Sequence, residues 1–125
     1  MKIQKDSPIF IIDDDPFWTA LLTQILASMG YVKISTYNNG TDGLSNLTLN
    51  PALIFLDYQM EDVNGLEVLQ KIKEYNAKIR VIFCTAHQDL SVAINAMAFG
   101  SFDYLLKENA TKKEVASIVS NLVNK

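Results

Sequence analysis

One cysteine, one histidine, three prolines and five glycines are spread over 125 residues, and each scarcity excludes something. The lone Cys84 cannot close an internal disulfide, so the chain suits a reducing compartment. Prolines and glycines occur singly, leaving no linker, low-complexity tract or internal repeat. The longest purely apolar runs, Ile9–Ile12 and Ala52–Leu56, fall far below the roughly 20 residues of a membrane-spanning helix. The N-terminal MKIQKDSPIF has no long apolar run and is no signal peptide. Positive charge is not in excess either: the net charge of −3 argues against a nucleic-acid-binding surface. The expectation is one soluble cytoplasmic domain over residues 1–125, with no contact to membrane or nucleic acid.

What the chain does contain is alternation. Apolar runs read as strands at Ile9–Ile12, Ala52–Leu56 and Ile79–Cys84, with shorter strands at Val32–Thr36 and Tyr104–Leu106. Helix-period segments lie between them. Asp15 and Pro16 suit the cap and first turn of a helix whose apolar stripe is Phe17, Leu21, Leu22, Ile25, Leu26 and Met29, stopped by Gly30. Trp18 reads as part of its surface or as a contact site rather than as chemistry. A weaker helix covers Thr41 to Leu49, closed by Pro51. Leu66, Leu69 and Ile72 mark a third helix; Leu90, Ala93, Ile94 and Met97 mark a fourth, ended by Gly100. Thr111 and Glu114 form a capping-box pattern opening a fifth, with Val115, Ile118, Val119 and Leu122 inward. Five strands alternating with five helices give an α/β (βα)5 chain, a parallel sheet covered on both faces. In such sheets ligands bind beyond the carboxyl ends of the strands.

The strand ends carry Asp13, Asp14 and Asp15, then Asp57, Thr85 and Lys107. Singly, each has an ordinary reading. Aspartates after strands cap helices or make Asx turns, and most lysines are solvated. Jointly they are the parts of phosphoryl chemistry. Clustered carboxylates need protons or cations to be stable. Mg²⁺ takes hard oxygen ligands, typically one or two carboxylates with waters and phosphate oxygens, and Asp13, Asp14 and Asp57 suit it. Lys107 adds a fixed positive charge, and Thr85 a hydroxyl. Asp57 ends the most buried strand without an acidic sequence neighbour, which makes it the better nucleophile. Asp13 and Asp14 are the better metal holders, and Asp15 is a cap.

Over essentially its full length the chain resembles the receiver domain of two-component response regulators. The resemblance rests on Asp13-Asp14, Asp57, Thr85-Ala86 and Lys107 in order, with Met60 and Gly65 after Asp57 and Gly100…Asp103-Tyr104-Leu105-Leu106-Lys107. It implies a flavodoxin-like three-layer sandwich with strand order 2-1-3-4-5. It also implies a signalling switch rather than an enzyme. Asp57 would be phosphorylated by a sensor histidine kinase or histidine phosphotransfer protein. Mg²⁺ would be held by Asp13 or Asp14, Asp57 and the backbone carbonyl of Gln59. Thr85 would move toward the phosphoryl group and Tyr104 would turn inward, remodelling the surface of helix four, strand five and helix five for a downstream protein. Gln59 and His87 stand where the family modulates phosphoryl lifetime, although His87 also reads as a solvated loop residue and Cys84 as core. The expected state is a monomer or a weak phosphorylation-dependent dimer, with no output domain in the chain.

Two positions depart from the family. Glu61 and Glu108 stand where prolines are usual, the second usually joined to the lysine by a cis bond. Before a non-proline a cis bond costs about 2.5–4 kcal/mol, so Lys107–Glu108 is expected to be trans or strained. These departures motivate an alternative, a pseudo-receiver that acts as a phosphorylation-independent interaction module. A flavin carrier would want a Ser/Thr/Gly-rich phosphate loop after strand one, where aspartates repel phosphate. An aspartyl phosphatase would place its nucleophile there and add a cap domain.

Overall fold

A strand apolar on both faces must be covered on both faces, and the runs Ile9–Ile12, Leu53–Leu56 and Val81–Cys84 are all of this kind. The computed structural model describes residues 3–86 and 90–123, with only the backbone at Leu90. In chain order the elements are β1 (Ile9–Ile12), α1 (Pro16–Ser28), β2 (Ile34–Tyr37), α2 (Gly40–Ser45), β3 (Leu53–Asp57), α3 (Gly65–Tyr75), β4 (Arg80–Thr85), α4 (Leu90–Ala98), β5 (Asp103–Leu106) and α5 (Lys112–Val123). Short 3₁₀ turns at Leu47–Leu49 and Lys107–Asn109 follow α2 and β5. All strand pairs are parallel, in the order β2-β1-β3-β4-β5, the expected α/β architecture.

Strand periodicity divides the core in two. Ile9, Ile11, Leu53, Phe55, Ile82 and Cys84 pack with Leu22 and Leu26 of α1 and Val115, Ile118, Val119 and Leu122 of α5. Phe10, Ile12, Ile54, Leu56, Val81 and Phe83 pack on the opposite face with Val68, Leu69 and Ile72 of α3. Each fully buried aliphatic or aromatic side chain contributes about 1.5–3 kcal/mol, so the three central strands hold the sheet's register.

Local signals behave as their chemistry requires. The Asp15 carboxylate accepts from the Phe17 and Trp18 N–H groups at 3.0 and 3.4 Å, with Pro16 in the first turn. The Thr111 hydroxyl accepts from the Glu114 N–H at 3.1 Å. Gly30 and Gly100, with φ of 99° and 103°, lie just past α1 and α4 in a conformation that side chains disfavour. Among the described residues no helix is long and apolar enough to cross a membrane.

Several expectations are corrected. Phe17 is not core; it is 77% exposed, and Trp18 is buried at 5%. The buried stripe of α1 is Trp18, Leu22, Ile25 and Leu26, so stepping back four residues from Leu22 lands on Trp18. Among the described side chains of α4 Ala93 and Ala96 are buried, whereas Ile94 and Met97 are exposed. The short side chains face inward and the bulky ones outward, which inverts a reading based on size. The second helix stops at Ser45 and gives way to a 3₁₀ turn, with Asn50 left-handed at φ 57° before Pro51. Val32 lies outside β2 and is exposed. Asp57 and Thr85 are the last residues of their strands rather than the first beyond them.

Gly65 opens α3 directly against the β3 terminus. A Cβ there would collide with the Asp57 carbonyl oxygen and with the Tyr58 Cα, and its N–H donates to the Tyr58 carbonyl at 2.8 Å. Backbone cannot swing aside as a flexible side chain can. Gly65→Ala is expected to lower unfolding free energy by about 1–3 kcal/mol, read by urea denaturation. An unchanged midpoint would show that the loop relaxes freely.

Candidate functional site

Register places the functional side chains. Ile12 pairs with Leu56, so Asp13 and Asp57, one residue on, stand level at the carboxyl edge. Asp57 pairs with Cys84 and Thr85 with Leu106, so Thr85 and Lys107 each stand one residue further along. Lys107 lies two strands from β3 and three from β1, and its long stem closes that distance. Its ammonium is 2.7 Å from Asp13 Oδ2 and 2.9 Å from Asp57 Oδ1. Among the described residues no peptide bond is cis, so Lys107–Glu108 is trans and the lysine makes this approach from a trans backbone.

The three consecutive aspartates separate by environment. Asp13 is buried, and its Oδ1 accepts from the Asp15 N–H at 2.9 Å. Asp14 is exposed and lines a groove of ≈ 530 Å³ with Tyr58, Gln59, Met60, Glu61 and Asn64. Asp15 caps α1. Carboxylate oxygens of Asp13, Asp14 and Asp57 lie within 4.8 Å of one another. Fully ionised, three carboxylates against one ammonium carry an excess of two negative charges. A hard divalent cation matches both that charge and an all-oxygen donor set.

Electrostatics follow from burial first. Desolvation, then the Asp13 charge, push the Asp57 carboxyl up to about 6 despite the Lys107 ammonium. Burial also raises Asp13, with Lys107 opposing. For Lys107, burial favours the neutral amine, but the hydrogen bonds and charges of Asp13 and Asp57 outweigh it and hold the ammonium protonated above its ordinary range. Burial pushes the Cys84 thiol up, which leaves it inert core. Thr85 is 1% exposed, and among the described residues its hydroxyl has no hydrogen-bond partner. A buried hydroxyl without a partner costs about 1–3 kcal/mol. Such a group points to a ligand atom.

The other expected residues fall around this centre. Gln59 is exposed, two residues beyond Asp57, in the groove with Asp14. Tyr104 is half-buried and packs against the α3 side of the core. His87 lies outside the described residues.

Two contributors were not legible in advance. Asp62 ties the loop after β3 to the start of α2: Oδ1 accepts from the Gly40 N–H at 3.1 Å, and Oδ2 from the Thr41 N–H and hydroxyl at 2.9 and 2.7 Å. Against a desolvation effect that raises it, these bonds and one from the Val63 N–H hold its carboxyl far below the ordinary carboxylate range. No local signal announces a bond across 22 residues. The second is Trp18, whose buried ring lies 5.5 Å from the Lys107 ammonium; the periodicity of α1 admits either Phe17 or Trp18 as its inward residue.

The chain matches the family described as response regulator receiver domain over residues 9–119. It is 33% identical over 111 residues to the DNA-binding transcriptional regulator NtrC of Escherichia coli strain K12, covering 88% of this chain and 24% of that protein. It therefore spans about a quarter of the length of that relative. It is 29% identical over 100 residues to the chemotaxis protein CheY of Bacillus subtilis strain 168, covering 79% of this chain and 83% of that one. A solved response regulator receiver domain protein from Clostridium thermocellum superposes with a TM-score of 0.86 at 30% identity, covering 94% of both chains.

The raised Asp57 carboxyl has a signed consequence. Between the ordinary value of 3.8 and about 6 the folded state holds a proton that the unfolded state has released. Stability from this group therefore falls as pH rises across that window. In metal-free buffer the advantage of Asp57→Asn over wild type should grow from pH 4 to pH 7 and then level off, reaching up to about 3 kcal/mol. Urea denaturation at stepped pH reads it, and a pH-independent difference would contradict the assignment.

Proposed function

The chain belongs to the response regulator receiver domain family, and from that premise we propose that Asp57 is the phosphoacceptor of a two-component phosphorelay. The domain is a signalling phosphoacceptor rather than a classical enzyme. The observation that carries the reading is the cluster in which Asp57 lies 2.9 Å from the Lys107 ammonium, beside the Asp13 and Asp14 carboxylates and the Thr85 hydroxyl, which has no partner among the described residues.

On this reading an Asp57 carboxylate oxygen attacks the phosphorus of a phosphohistidine on a sensor kinase or phosphotransfer protein in the cytoplasm. The new O–P bond forms as the P–N bond breaks, and the electron pair returns to the imidazole nitrogen. Asp13 or Asp14, Asp57 and the Gln59 carbonyl would hold Mg²⁺, which supplies charge neutralisation at the phosphoryl oxygens. Lys107 keeps a positive charge against the same oxygens. Thr85 donates its hydroxyl to one of them, and Tyr104 follows into the space that it leaves. The surface formed by α4, β5 and α5 then presents a different face to a downstream protein. Gln59 and His87 would govern access of water to the acyl phosphate.

Incubation with Mg²⁺ and a small acyl-phosphate donor should add one phosphoryl group by intact mass, lost in Asp57→Asn and abolished by chelator. Full labelling of Asp57→Asn would remove the assignment. An unlabelled wild type would favour a phosphorylation-independent interaction module, the reading that Glu61 and Glu108 motivate.

A further inference from the structure

We propose that Trp18 is a positioning residue for Lys107: its buried indole holds the lysine ammonium over the site by a cation–π contact. The inference rests on the phosphoacceptor reading of Asp57 and adds a residue to it.

The geometry is a closed loop of contacts between Lys107 and one short segment, residues 13–18. Asp13 Oδ2 binds the Lys107 ammonium, and Asp13 Oδ1 accepts from the Asp15 N–H. Asp15 Oδ1 accepts from the Trp18 N–H, and the Trp18 ring lies 5.5 Å from that same ammonium. Trp18 is 5% exposed and packs in the core beneath α1, so its ring cannot wander. Lys107 has only a quarter of its side chain exposed, which reduces the water that would otherwise screen a ring–cation contact.

Chemistry explains what a ring does here that a third acid would not. Asp13 and Asp57 are the ammonium's present partners, but both are candidate ligands of a divalent cation. As their charge is shared with that cation, their hold on the ammonium weakens. An aromatic face attracts the ammonium through its quadrupole, and tryptophan is the strongest of the aromatic side chains in this respect. Being neutral, it neither competes for the cation nor repels an incoming phosphoryl group. Leucine would fill the core but leave the ammonium to the carboxylates alone.

Two measurements test this on the full chain. The first is the rate of phosphoryl addition from a small acyl-phosphate donor, at saturating Mg²⁺ and over a range of donor concentrations. Trp18→Leu should lower the maximal rate about five- to tenfold, and Trp18→Phe, which keeps an aromatic face, less than about threefold. In a Lys107→Met background Trp18→Leu should slow the reaction no further. The second needs no donor: the Lys107 ε-methylene resonances, identified by their loss in Lys107→Met, should be shifted upfield by the indole and return to ordinary lysine positions in Trp18→Leu. Trp18→Met serves if Trp18→Leu does not fold.

Equal slowing in both lysine backgrounds, or a lysine resonance unmoved by loss of the ring, overturns the proposal. A wild type that takes no phosphoryl group would instead overturn the role of Asp57, while the lysine resonance still decides whether Trp18 holds the ammonium.

Discussion

The Lys107 ammonium, 2.7 Å from Asp13 and 2.9 Å from Asp57, is the interaction on which the carboxyl edge of this sheet depends. Two carboxylates on adjacent parallel strands, both nearly out of water, repel each other and lose hydration together. Removing one partner from a buried ion pair costs about 3–5 kcal/mol, because the remaining charge is stranded. One cation shared between two acids therefore decides whether β1 and β3 can end where they do. Everything nearby serves that closeness. Gly65 lets α3 start against the Asp57 backbone, Asp62 binds the loop after β3 to α2, and β5 delivers the lysine from two strands away.

Three aspartates in a row become reasonable once each has its own address. Asp13 faces the lysine, Asp14 faces the open groove, and Asp15 turns its carboxylate onto the first N–H groups of α1. The last of these also benefits from the positive end of the helix dipole. Repulsion between the other two remains in the free protein. Under the proposed reading it is the physical source of affinity for a cation, and burial of Asp57 sharpens it.

The sequence made the sheet, its alternation and the strand-end chemistry legible because each rests on a local pattern. Ile9–Ile12 is apolar on both faces whatever its partners are, and Asp15-Pro16 is a helix start in any context. The strand order 2-1-3-4-5 was reached through resemblance, since pairing is not a local property. What stayed hidden depends on distance through space. Periodicity alone admitted either Phe17 or Trp18 as the inward residue of α1, and only docking against the sheet decides for Trp18. In α4 the helical spacing included Ala93, which is buried, but Ala96 carries too little apolar surface to declare itself core, and Ile94 and Met97 are exposed. Asp62 acts across 22 residues. Even the one-residue shift of β3 and β4 has this character: Asp57 and Thr85 pair as strand residues because their neighbours' backbones are there to receive them.

Thr85 explains how a cluster built for charge could also report on it. A ligand shifts a two-state element only by its difference in affinity for the two states. Among the described residues the Thr85 hydroxyl is buried without a partner, and satisfying such a group is worth about 1–3 kcal/mol. That range corresponds to a shift of about 5- to 150-fold in a conformational equilibrium. Lys107 contributes little to this difference, because it has carboxylate partners before any phosphoryl group arrives. Under the proposed reading the labour is thus divided by burial and satisfaction: the Lys107 ammonium has anionic partners in both states, and the Thr85 hydroxyl, without a partner among the described residues, distinguishes them.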